Sequence, residues 1–555
     1  MTAPVAAHRA LPARSAGRSP LRGTGRLCRA ILRRDRIRLS VWTISMTVFV
    51  TYFAAALSSV FDDDARAARA EIMRTPAGIA MAGPGYGLEH YTPMVAVANE
   101  GVLWIVLALA IMAILHVVRH ARGEEESGRA ELVRAGAVGP LAPVLATLIT
   151  LAGHLALISV LGAVGTLASP DDASFVDGLG MMAGCAASAL VFGAAALVAS
   201  QISASSRGAL GGALAVFGLA FVLRAAGDMI RLEGSALSWS SPIAWAQQMR
   251  PYVDLRWWPA LLALAAAGAL LLAAAALASR RDLGQGLVAA RPGPARARPW
   301  LRGPLALAWR QQRAVLGWSA LGLGLLWFAT GTMMELIDDM AADLVADNPV
   351  VAAMFGADPS QMATAFLGTM MLFVALCAAA YGIVATIGGC RAEESAGRLE
   401  QVLAAPVGRM RWLAAQLLVA LGGTTALLWL SVAALASGMR MVGMQEPSLA
   451  EHALTALAYT PATLAFAAFG AALVGWAPRG ASLAWALLAV TLVLEMFGPM
   501  LDAPEALREL SVLHHVPDVY SGDAEPLPVV ILAIAVGALL LAALIGFRRR
   551  GVQTR

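Results

Sequence analysis

The stretch CRAEESAGRLEQVLAAPVGR, residues 390–409, lies between two long apolar runs and has a near copy in ARGEEESGRAELVRAGAVG, residues 121–139. Aligned without gaps, Arg122, Glu124, Glu125, Gly128, Arg129, Glu131, Val133, Val138 and Gly139 fall on Arg391, Glu393, Glu394, Gly397, Arg398, Glu400, Val402, Val407 and Gly408. The offset is a constant 269 residues. Both copies keep the order Glu-Glu-x-x-Gly-Arg. A charged segment that recurs once in an otherwise apolar chain marks an internal duplication.

Outward from the two copies the chain is poor in charge. Of its 555 residues 59% are hydrophobic and 14% charged, against roughly 25% charged in soluble domains. The deficit is concentrated in runs of about 20 residues, enough to cross roughly 30 Å of hydrocarbon as a helix. Twelve such runs are predicted, at 39–60, 97–118, 141–168, 176–200, 207–225 and 257–279, then at 315–336, 364–388, 411–437, 454–476, 480–500 and 526–546. Six in each half match the offset of the charged copies. The expected fold is all-α: a polytopic helical membrane protein of two parallel six-span pseudo-repeats. The expected divisions are a disordered Arg-rich arm at 1–26, a first half at 27–280, a linker at 281–299 and a second half at 300–550.

Arginine placement predicts orientation. Ten arginines precede the first run, Arg280, Arg281, Arg291, Arg296, Arg298, Arg302, Arg310 and Arg313 fall in the central connection, and Arg548, Arg549, Arg550 and Arg555 close the tail. One opposite loop holds Asp338, Asp339, Asp343, Asp347 and Asp358 and no arginine. Both termini, the linker and both charged copies are therefore expected in the cytoplasm of a bacterial cell. An even span number per half makes the halves parallel, about an axis along the membrane normal. The run after the Arg-rich arm is too long for the core of a cleavable signal.

The basic residues are all arginine. Without lysine the chain cannot form a Walker A loop, whose lysine reaches the β- and γ-phosphates. No catalytic residue, metal centre, cofactor or nucleic-acid partner is read in this chain. Cys28, Cys185, Cys377 and Cys390 show no CxxC and are read as free thiols. His116 and His154 are read as hydrogen-bond donors between packed helices rather than a proton relay, and His514–His515 lack a third ligand. Met181, Met182, Met333, Met334, Met370 and Met371 suit either an adaptable apolar cavity or ordinary packing.

Each charged copy follows the second span of its half. The pairs Glu125/Arg129 and Glu394/Arg398 sit at i,i+4, so a short cytoplasmic amphipathic helix is expected, its charges facing solvent and their loss costing little stability. A solvated topogenic loop accounts for one copy; two equivalent copies favour docking to a separate cytoplasmic dimer with two equivalent surfaces. Ahead of each half, residues 27–42 and 300–318 mix Arg and Trp with apolar residues. They suit an interfacial helix or a simple basic flank. Arg224 and Glu495 lie near the outer ends of spans 5 and 11. Each alone in hydrocarbon costs about 2.5–3.5 kcal/mol; a cross-half gate pair or snorkelling to the interface would relieve it.

These features resemble the permease subunit of a type-2 ATP-binding-cassette exporter. More narrowly they are similar to the fused twelve-span permeases of the tetronasin or polyketide-antibiotic exporter kind from actinobacteria. The resemblance rests on the two charged copies, on LRAAGDM at 223–229 and on SPIAWAQQMRPYVDLRWWPALL at 241–262. It implies elbow helices at 27–42 and 300–314 and coupling helices at 119–136 and 388–405. It places ATPase coupling on Arg122, Glu124, Glu125, Arg129 and Glu131, with Arg391, Glu393, Glu394, Arg398 and Glu400. It also implies an ABC ATPase homodimer on the cytoplasmic side, holding ATP and Mg, and a hydrophobic small-molecule substrate. Pro406 replaces Ala137 and should end the second helix more sharply. A proton-coupled secondary drug transporter, or a lipid-exporting or non-transporting membrane component, are the alternatives.

Overall fold

Nothing between Leu27 and Val60 interrupts a helix, neither Gly nor Pro, and Thr24–Val60 is one unbroken helix. At 1.5 Å per residue its 37 residues span about 55 Å, well beyond the roughly 30 Å of hydrocarbon. Residues 27–42 are thus the first turns of span 1 itself, and the arginines ride on the part that exceeds the apolar layer. In the second half Gly303, at φ 88°, and Pro304 start the equivalent helix Pro304–Thr332. Pro at the first helical position forfeits only a hydrogen bond that the helix end lacks anyway.

The computed structural model describes residues 19–60, 63–74, 78–79, 82–170, 172–231, 234–282, 284–288, 296–297, 299–335, 359–395, 397–497, 504–522 and 525–551. The acidic residues Asp338, Asp339, Asp343, Asp347 and Asp358 lie outside them. The described residues contain twelve helices long and apolar enough to cross a membrane and no strand. The chain is an all-α polytopic membrane protein. It divides into two units, Met1–Gly293 and Pro294–Arg555.

In unit 1 the spans are Thr24–Val60, Pro93–His120, Ala142–Thr166, Phe175–Ile202, Ser206–Ile230 and Trp258–Ala278. Spans 2 and 4 form its centre, with 72% and 78% of their apolar windows buried against 11% to 44% for the others. Val106, Leu109, Ile114, Met181, Cys185 and Phe192 meet in this core. The outer helices turn Ile44, Val48, Leu219, Leu261 and Leu272 outward, which lipid accepts and water would not. Polar clips fix the helices against one another. Thr43 of span 1 meets His154 of span 3 at 3.0 Å, and His116 of span 2 meets Thr150 of span 3 at 3.2 Å. Both histidines therefore bond between packed helices.

Unit 2 repeats the order with Pro304–Thr332, Pro359–Ile383, Arg409–Met441, Leu449–Trp476, Leu483–Phe497 and Pro526–Arg549, spans 7 to 12. Spans 8 and 10 are again the centre. Gln312 of span 7 bonds Gln416 of span 9 at 3.0 Å, and the offset of 269 carries Thr43 onto Gln312. Spans 7 and 9 cross at Gly331 and Gly438. A Cβ on Gly331 would lie 2.1 Å from the Leu435 carbonyl oxygen, and one on Gly438 2.2 Å from that of Phe328. Only glycine permits this backbone contact.

Between spans 5 and 6 the chain folds back. The helices Ala236–Trp239 and Pro242–Gln247 are capped by Ser235 and Ser241. Ile243, Ala244, Ala246 and Met249 are buried, and Gln247 donates to the Ala82 carbonyl at 2.6 Å. Trp257 and Trp258 stay half-exposed, as interfacial tryptophans do.

Candidate functional site

The first charged copy is two short helices, Arg122–Glu126 and Arg129–Ala135, broken at Gly128 with φ 75°. That left-handed backbone favours glycine. Its three consecutive glutamates reach three different elements. Glu124 accepts from Arg34 of span 1 at 2.5 Å and from Arg129 at 2.8 Å. Glu125 takes Arg281, just past span 6, on both oxygens at 2.6 and 2.8 Å, and Arg122 at 2.6 Å. Glu126 accepts from the backbone N–H of Ser206 at 3.0 Å, and from its hydroxyl, at the start of span 5. Arg122 is buried and also donates to the carbonyls of Gly284 and Gln285 at 3.2 and 3.1 Å.

The second copy has the same build. Gly389–Ser395 and Arg398–Leu403 flank Gly397 at φ 69°. Arg398 donates to both oxygens of Glu393 at 2.8 and 3.1 Å. Arg550, at the end of span 12, grips both oxygens of Glu394 at 2.5 and 2.8 Å. The offset of 269 thus carries a whole network, Glu124–Arg129 onto Glu393–Arg398 and Glu125–Arg281 onto Glu394–Arg550. The neighbouring carboxylates hold the Arg129 and Arg398 guanidinium groups above their usual pKa.

Three expectations change here. A single amphipathic helix is replaced by a helix–glycine–helix. The i,i+4 pairs Glu125/Arg129 and Glu394/Arg398 do not form; each arginine reaches back to i−5, because the left-handed glycine redirects the chain. Glu125 and Glu394 face inward, with side chains 13% and 8% exposed. Arg391, unlike Arg122, is exposed, as are Glu131 and Glu400. The second helix of the second copy has six residues against seven in the first, ending before Pro406. A π-helical turn at Val384–Gly388 leads into the first helix of that copy, Gly389–Ser395.

In the sequence Arg281 and Arg550 serve only to set orientation, although they stand 269 residues apart; the offset applied to the arginines after spans 6 and 12 marks them as partners of the two copies. Arg224 and Glu495 each have a polar partner within their own unit. Arg224 lies 3.6 Å from Asp228, one turn along span 5, and both side chains are fully buried. Arg224 also donates to the Ile79 carbonyl at 3.3 Å, and Glu495 accepts from the Ser511 hydroxyl. Arg224→Ala should therefore cost about 3–5 kcal/mol by leaving a buried carboxylate without its counter-charge. Arg224→Met with Asp228→Leu should cost much less. Thermal melts in detergent compare them; a single variant that melts like the parent chain would show the pair to be solvated.

Unit 1 also has an apolar cavity of about 660 Å³ between spans 4, 5 and 6, lined by residues such as Phe192, Ala199, Val216, Leu223, Trp245 and Leu270. Among the described residues no methionine lines it. Met181, Met182, Met334 and Met371 are packed in the two cores instead.

The family model for "Multidrug efflux system permease Rv1217c, C-terminal domain" matches residues 29–280 and 301–548, one stretch in each unit. The chain is 37% identical to the multidrug efflux system permease protein Rv1217c of Mycobacterium tuberculosis (strain ATCC 25618 / H37Rv) over 554 residues, 98% of either chain. With twelve membrane-crossing helices and both units matched, the chain belongs to this family of multidrug efflux system permeases.

Proposed function

We propose that the chain is the permease subunit of an ATP-binding-cassette exporter. It carries hydrophobic antibiotics or drugs outward across the cell membrane, on ATP hydrolysed by a separate subunit. The observation that carries this reading is the duplicated network: two helix–glycine–helix elements, each tied by a buried Glu–Arg pair to the last span of its own unit. A push on either element is transmitted to the spans through those ties rather than lost in a loose loop. Two like elements suit an ATPase homodimer, which would bring ATP and Mg. By the positive-inside rule the arginine-rich segments of the sequence, and with them both charged copies and both termini, belong on the cytoplasmic side.

The apolar cavity is in the range of 300–1,000 Å³ that small-molecule sites occupy, and its lining suits a hydrophobic substrate of the polyketide kind. A proton-coupled carrier needs carboxylates in the spans that are free to load and unload. Asp35, Glu100 and Asp228 each sit beside an arginine instead, Arg119 at 3.1 Å, Arg69 at 3.1 Å and Arg224 at 3.6 Å; Glu495, near the outer end of span 11, accepts from the Ser511 hydroxyl. The permease and its ATPase, purified together into liposomes, should hydrolyse ATP faster when a hydrophobic drug is added, and the permease alone should hydrolyse none. Drug movement driven by a proton gradient without ATP would overturn the reading.

A further inference from the structure

We propose that unit 1 binds one divalent transition-metal ion of the zinc class between Asp35, His116 and His120, where span 1 meets the basic end of span 2. His116 and His120 stand at i,i+4 on one helix face, their ring centroids 4.7 Å apart. Asp35 comes from span 1, and its Oδ2 lies 2.7 Å from His120 Nε2. One ligand atom from each residue falls within 4.8 Å of the other two, and all three residues are buried. Metal–ligand bonds of about 2.0–2.2 Å set tetrahedral ligand atoms about 3.3 Å apart, so modest side-chain rotation closes the set. Two imidazoles and one carboxylate suit zinc, cobalt or nickel better than calcium or magnesium, which prefer oxygen.

The surroundings are those of a prepared site. Ligating side chains are held by outer partners: Thr150 bonds His116 at 3.2 Å, and the Arg119 guanidinium pairs with Asp35 Oδ1 by charge at 3.1 Å. That oxygen accepts no hydrogen bond although it is buried. His120 also lines a cavity of about 230 Å³ shared with Glu124, Thr147 and Arg281, an approach for a hydrated ion. The Asp35–His120 contact alone would clip span 1 to span 2 and needs no second histidine. His116, one turn further along, turns the clip into a chelate. The offset of 269 places Pro304, Ala385 and Gly389 at the matching positions of unit 2, which offer no ligand, so the stoichiometry is one ion per chain. An ion there would fix span 1 to span 2 directly before the Arg122–Ala135 element.

The test uses the full chain, purified without a polyhistidine tag, stripped with chelator and titrated with Co²⁺ while visible absorption is followed. Thermal melts are run with and without Zn²⁺. The expected result is a saturable absorption band at one Co²⁺ per chain and a higher melting temperature with Zn²⁺. His116→Ala should abolish both the band and the Zn²⁺-induced rise, the rise being read against that variant's own metal-free melt, which falls with the loss of the buried His116–Thr150 bond. Asp35→Asn, which keeps the side-chain shape, should abolish the band as well. Replacing His514 and His515 should leave it intact. A chain with no saturable band, or a band that survives both His116→Ala and Asp35→Asn, overturns the proposal.

Discussion

Removing the Glu125 carboxylate should lower the stability of unit 1 by about 3–5 kcal/mol, and removing that of Glu394 should act in the same direction on unit 2. Each is the acceptor of a two-point guanidinium grip in a place nearly closed to solvent, with side chains 13% and 8% exposed for Glu125 and Arg281 and 8% and 13% for Glu394 and Arg550. Deleting one partner leaves the other charge desolvated and uncompensated. The two losses should differ. Glu125→Ala strands two cations, Arg122 and Arg281, although carbonyls of Gly284 and Gln285 and the Gln201 side chain still receive their N–H groups. Glu394→Ala strands Arg550, which is the last residue of its stretch to be gripped and can turn outward, so the smaller cost is expected there. Thermal melts of Glu125→Ala, Arg281→Ala and the double variant, and of the matching unit 2 set, give the coupling in each unit. Single variants that melt like the parent chain would reduce these to surface pairs, whose value is about 0–1 kcal/mol.

Helical spacing alone puts these glutamates in solvent. Spacing along a helix predicts neighbours only while the helix continues. Gly128 and Gly397, legible as glycines, are not legible as left-handed breaks, so helical spacing pairs Glu125 and Glu394 with Arg129 and Arg398, whereas Arg281 and Arg550, 156 residues away in sequence, take both oxygens of each. The spans themselves were legible because hydrocarbon thickness is a constraint that composition records directly, and their number needed no tertiary knowledge. What composition cannot record is which polar residue meets which across helices. Asp228 was passed over inside the very stretch 223–229 that was singled out, and Asp35 was passed over because His120 is 85 positions from it. The duplication was the stronger guide than either. Carried past the charged copies to Arg281 and Arg550, the same offset names both buried grips.

Glu131→Arg combined with Glu400→Arg, and Leu132→Asp alone, should leave both units folded and yet weaken the hold on the proposed ATPase partner by about 2–5 kcal/mol, the range for breaking a charge pair that docking has buried. The division of labour within each element motivates this. Glu125 and Glu394 point inward and secure the element to its unit. Glu131, Leu132 and Arg134, and in the second copy Glu400 and Gln401, point outward from the second short helix. Substitutions at such surface positions usually move stability by no more than about 0.5 kcal/mol, so a lost complex could not be ascribed to unfolding. Leu132 is 77% exposed, while its counterpart at the offset of 269 is Gln401. An apolar contact is therefore available to the partner on one side only, and Leu132→Asp should impair association more than Gln401→Asp. Copurification of the ATPase, its drug-stimulated hydrolysis and the melt of the permease alone separate the outcomes. A Glu131→Arg and Glu400→Arg chain that melts normally, retains its ATPase and exports at the parent rate would assign these elements to topology and remove the coupling role from both copies.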